Sequence, residues 1–62
     1  VSADIDVMMD RLEVLTSDMD VPEFRRRKVP WLRRNLAIRN ADHPNFAEAM
    51  GLVEELSKMG VH

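Results

Sequence analysis

Phe24-Arg25-Arg26-Arg27-Lys28-Val29-Pro30-Trp31-Leu32-Arg33-Arg34-Asn35-Leu36-Ala37-Ile38-Arg39-Asn40 decides the fold. Apolar residues recur through it at helical spacing, yet Pro30 stands in its middle. Proline has no N–H to offer the carbonyl of Arg26, and its ring drives the preceding Val29 away from helical angles. The stretch therefore reads as a helix that stops or kinks at Val29-Pro30 and a new helix running from Pro30 to about Arg39. Pro30 suits the first turn of that second piece, where its missing donor costs nothing. Asn40 reads as a left-handed C-cap.

Upstream, Asp20-Val21-Pro22-Glu23 is a helix start, with Asp20 accepting from the amide three residues on, Glu23 reaching back and Pro22 in the first turn. Before it, Ile5, Met8, Met9, Leu12, Leu15 and Met19 share one arc of roughly 120°, which predicts an amphipathic helix over 4–19. Ser2 or Asp4 can cap its start. Val7 and Val14 form a thinner stripe on its far side, one heptad apart. Downstream, 41–45 reads as a turn, and Asp42, or Asn45 with Glu48 in a capping box, can open the next helix. Phe46, Ala49, Met50, Leu52, Val53, Leu56 and Met59 cover about half of that helix, with Lys58 in its last turn and Gly60 just beyond it. Gly51 lies within it and makes a small-xxx-small pair with Ala47, a place for close helix approach or a tolerated weak spot.

No strand-like alternation bounded by turns occurs. Short connections between helices force neighbours to run antiparallel. The expected fold is all-α: one domain over 1–62, a small antiparallel bundle of three helices, the middle one broken or kinked near Pro30.

Composition excludes much else. The chain has 62 residues, 45% apolar and 32% charged, with two Gly, three Pro and no Cys. That is too apolar for a disordered tail and too poor in turn residues for an all-β domain. Disulfides, thiolate metal sites and cysteine nucleophiles are absent with the cysteines. No run of about 18 uncharged apolar residues is present to span a membrane, and no charged-then-apolar leader precedes the first helix pattern. A cytoplasmic location is the expectation.

The net charge of −2 conceals three blocks. Up to Glu23, seven acids (Asp4, Asp6, Asp10, Glu13, Asp18, Asp20, Glu23) stand against Arg11, a formal −6. From Phe24 to Asn40, seven bases (Arg25, Arg26, Arg27, Lys28, Arg33, Arg34, Arg39) meet no acid, a formal +7. Beyond, Asp42, Glu48, Glu54 and Glu55 against Lys58 leave −3.

On one continuous helix, Arg26, Arg27, Arg33 and Arg34 would share an arc beside Phe24, Trp31 and Ile38. Guanidinium forks interleaved with an aromatic suit phosphates and unstacked bases, but they equally suit acidic neighbours within the chain or on a partner. The middle segment carries a second stripe, Val29, Leu32 and Leu36, and two stripes call for two partners. The reading that follows is a non-enzymatic protein-interaction or adaptor module that self-associates as a homodimer, or else docks another protein. Trp31, Ile38, Val7 and Val14 would supply its apolar contacts, while Arg25, Arg26, Arg27, Arg33 and Arg34 would meet an acidic partner. The alternative is a small nucleic-acid-binding or regulatory protein using the basic helix over 24–39, although the acidic last helix argues against a helix-turn-helix reader.

No cofactor is expected. His43 and His62 lack the spacing of a zinc site, and His43 reads as a turn residue. Asp4-Ile5-Asp6 and Asp18-Met19-Asp20 lack the glycine and the twelfth-position glutamate of a calcium loop. No nucleophile is paired with a base.

Overall fold

The first apolar stripe builds α1, Ser2–Leu15, in a computed structural model that describes residues 2–62, with side chains from Asp4 onward. Ser2 as a cap therefore lies outside the described side chains. Asp4 stands in the first turn of α1 and does not cap it, where a carboxylate still favours the positive end of the helix dipole.

The helix ends four residues before the expected Met19. Thr16 Oγ1 donates back to the Leu12 carbonyl at 2.7 Å and Ser17 Oγ to that of Val14 at 2.8 Å, while the Met19 amide reaches only to Thr16. Hydroxyls that take helix carbonyls offer the backbone an alternative to continuing. Met19 is buried all the same, carried inward by the turn together with Val21.

The expected capping box at Asp20 does not form. Its amide donates to Asn40 Oδ1 at 2.9 Å and its carboxylate meets Arg39 at 3.3 Å. Without a cap, Glu23–Arg25 closes only a single 3-10 turn, entered from Pro22. The break falls one residue earlier than expected: Lys28 is the extended residue, and Val29 already opens α2, Val29–Arg39, with Pro30 in its first turn. Starting there keeps the proline ring clear of any helical carbonyl, and the first bond runs from the Leu32 amide to Lys28. Asn40 ends α2 at φ −128°, which is not left-handed.

A turn over 41–45 leads to α3, Phe46–Lys58. Neither candidate side chain caps it, although Asn45 holds the N-cap position. The Asn45 side chain donates instead to the Leu15 carbonyl at 3.2 Å, and Glu48 holds Arg11. His43 serves the turn, its Nδ1 accepting from the Asn45 amide at 3.0 Å and its Nε2 lying 3.2 Å from Asp18. At the far end the Gly60 amide bonds Ser57 and the Val61 amide bonds Leu56, with Gly60 at φ +84°. That paired closure needs a left-handed residue, and glycine adopts it without strain.

The result is an all-α, three-helix bundle. α3 packs against both α1 and α2, and among the described residues no Cα of α1 comes within 8 Å of one in α2. The core is Met9, Leu12, Leu15, Met19, Val21, Val29, Leu32, Leu36, Ala49, Val53 and Leu56. Met59, expected in the arc of α3, is exposed. The radius of gyration, 10.5 Å, matches the value of about 10.6 Å for a close-packed chain of this length. Among the described residues, no helix is long and apolar enough to cross a membrane.

Gly51 meets no neighbour within the chain: a Cβ built there has nothing within 4 Å. Gly51→Ala is therefore expected to stabilise the fold by about 0.5–1 kcal/mol, because glycine surrenders more backbone freedom than alanine in a helix. A thermal melt checks this, with a rise of about 2–8 °C.

Candidate functional site

The break at Pro30 divides the arginines differently from a continuous helix. Arg27 turns to α1, bonding Glu13 and lying 3.8 Å from Asp10. The Glu13 hydrogen bond, followed by the nearby carboxylate charges, outweighs partial desolvation and raises its pKa above the ordinary guanidinium value. Arg26 donates to the Ser17 carbonyl at 3.4 Å, with its Nε buried and unpartnered. Arg33 reaches Ser57 Oγ on α3 at 3.3 Å. The arc of Arg26, Arg27, Arg33 and Arg34 is thus dispersed.

A different set comes together on the outer side of α2. Arg25, carried back by the 3-10 turn, places its guanidinium 4.2 Å from the centre of the Trp31 ring, and Arg34 lies 5.8 Å from it. Each such contact is worth about 0.5–1 kcal/mol at an exposed ring. Arg25, Trp31, Arg34, Asn35, Ile38 and Arg39 line an open groove of about 160 Å³. Phe24, also within 5.2 Å of Arg25, stands at 71% exposure, Ile38 at 74% and Trp31 at 40%. The two apolar stripes of the middle segment therefore stay separate: Val29, Leu32 and Leu36 enter the core, and Trp31 does not.

Electrostatically the groove is one-sided. Among the described residues, Arg39 meets Asp20, while Arg25 and Arg34 have no carboxylate within ion-pair distance. Asn35 adds an unmet acceptor. It is only 8% exposed, and its Oδ1 has no hydrogen-bond partner, a condition that costs about 1–3 kcal/mol in a folded chain.

Val7 and Val14 are exposed on α1, outside this groove. Arg11 beside them is held by Glu48 through two hydrogen bonds, 2.9 and 3.2 Å, and this contact raises its pKa. Asn35 escapes a reading of charge runs and apolar stripes, and Arg39, though counted in the basic run, is not singled out by it as a contact residue. The signal for Asn35 is its place four residues after Trp31 and three before Ile38, on the same face. Arg39 follows Arg34 by five residues, a spacing that puts the two on different helix faces, so only the groove shows them together.

Among the described residues, no group of three or more His, Asp or Glu side chains is placed to hold a metal ion. The chain matches no protein-family model, no curated protein and no solved structure.

Proposed function

We propose that this chain is a non-enzymatic helical docking module whose outward face, formed by the 3-10 turn and α2, binds an acidic, apolar-tipped protein segment. One observation carries the reading: Trp31 and Ile38 lie exposed in a groove framed by Arg25, Arg34 and Arg39, two of which lack a carboxylate among the described residues. Tryptophan and arginine concentrate binding energy at protein interfaces, where burial strips water from both. Apolar surface adds about 25 cal/mol per Å² when covered.

Protein is favoured over nucleic acid because the exposed aliphatic Ile38 gains nothing from phosphates, and because Arg27 and Arg39 are already engaged by carboxylates of the chain. Asp20 beside Arg39 repels a phosphate backbone from that side. The non-enzymatic part rests on the groove lining, which includes no general base or nucleophile, and on its size, well below the about 300 Å³ at which ligand pockets begin.

Trp31 is the sole tryptophan, so its emission reports on the groove directly. Titration at low salt with a helical peptide of glutamates and leucines is expected to shift the emission to the blue and saturate. Replacing Arg25 and Arg34 together with glutamine is expected to weaken that binding about tenfold or more. A response to single-stranded RNA or duplex DNA with none to the peptide would overturn the reading in favour of nucleic-acid binding. Silence toward the peptide overturns it outright.

A further inference from the structure

We infer that the segment docking on the α2 face is α1 of a second copy of this chain, an inference that rests on the docking reading above. The two outer faces have the same plan. On α2, Trp31 and Ile38 are exposed one heptad apart, with Arg34 and Asn35 between them. On α1, Val7 and Val14 are exposed one heptad apart, with Asp10 and Arg11 between them. Positions three and four residues on lie on the same helix face as the residue that starts the heptad. Laid parallel, the faces set Val7 against Trp31 and Val14 against Ile38.

That register brings Asp10 level with Arg34, a carboxylate against a guanidinium with no acid of its own. It brings the exposed Asp6 toward Arg25, which sits over the Trp31 ring at the start of α2. Asp10 is free to exchange partners, since its side chain is 78% exposed and its contact with Arg27 is a loose 3.8 Å. A pairing of α2 with α2 is disfavoured, because it sets Arg25, Arg34 and Arg39 against their own copies.

The contact is modest. A stable interface takes roughly 800 Å² from each partner, about a fifth of this chain's 4066 Å², and two turns of one helix supply less. Association is therefore weak, visible at high concentration, and lost as salt screens the Asp10 and Arg34 charges.

Sedimentation velocity over a wide concentration range at low salt tests this, with far-UV circular dichroism confirming that each variant is folded. The unmodified chain is expected to associate. Asp10→Arg and Arg34→Asp chains should each associate about tenfold or more weakly alone, and their mixture should recover a complex joining one of each. Three results would overturn the inference: a chain monomeric throughout, undiminished association of the Asp10→Arg chain alone, or a mixture of folded variants that recovers nothing. If the chain stays monomeric while Trp31 still responds to the acidic peptide, the docking face stands and only the second copy as its occupant is lost.

Discussion

Leu36→Ala is expected to unfold most of the population at physiological temperature. Leu36 is fully buried, and α2 contributes only Val29, Leu32 and Leu36 as buried apolar side chains. Truncating a buried leucine removes its transfer free energy and leaves a cavity, at a cost of about 2–5 kcal/mol. A chain of this length has roughly 3–9 kcal/mol to lose, at 0.05–0.15 kcal/mol per residue. A thermal melt followed by far-UV circular dichroism checks it, with the transition lowered far enough to overlap 37 °C. Leu36→Met nearly conserves volume and is expected to cost less than about 1.5 kcal/mol. A Leu36→Ala melt unchanged from the parent would mean that α2 is not held through this stripe.

Asn40→Ala is expected to cost about 2–3 kcal/mol, a large effect for a polar residue just past a helix end. Asn40 Oδ1 accepts from the Asp20 amide, while its Nδ2 donates to the Asn35 carbonyl at 3.0 Å and to that of Asp20 at 3.3 Å. Asn40 thereby ties the segment after α1 to the end of α2, and it is buried. Truncation strands an amide and two carbonyls at part-buried or buried positions, and each net hydrogen bond contributes about 1 kcal/mol. Asn40→Gly separates this role from capping. A left-handed cap would be improved or unaffected by glycine, whereas the tie is lost as it is in alanine. Urea midpoints at unchanged m-value are the measurement. The exposed Arg39–Asp20 pair beside it adds little, since surface ion pairs contribute about 0–1 kcal/mol.

These two residues mark where sequence reading succeeds and fails. Leu36 was legible, because α-helical periodicity carries Val29, Leu32 and Leu36 to one face and a small chain must bury it. Asn40 is the C-cap residue the sequence predicts, its amide on the Leu36 carbonyl, but it is not left-handed, and its tie to Asp20 is not legible because that partner lies twenty residues back. Asn45 behaves alike, its side chain crossing to the Leu15 carbonyl in place of capping α3. Thr16 ends α1 by turning its hydroxyl back on Leu12, while apolar periodicity ran on to the buried Met19.

Of the candidate site, the exposure of Val7, Val14, Trp31 and Ile38 followed from the surplus of apolar stripes over a core this small. The arginines did not follow. A helix wheel groups Arg26 and Arg27 with Arg33 and Arg34, but one 3-10 turn and an extended Lys28 rotate the first pair away and bring Arg25 to Trp31 instead.

By itself, then, the amino-acid order determined the helical class, the interruption near Pro30, the helix end before Gly60 and the separation of charge into acidic, basic and acidic blocks. Each is a consequence of sterics or periodicity acting within a few residues. Which arginines keep a carboxylate, which asparagine becomes a tie and which is left with an unmet acceptor were decided only when α3 brought α1 and α2 to its two sides. Those outcomes depend on atoms far apart in the chain, whose distances no local rule contains.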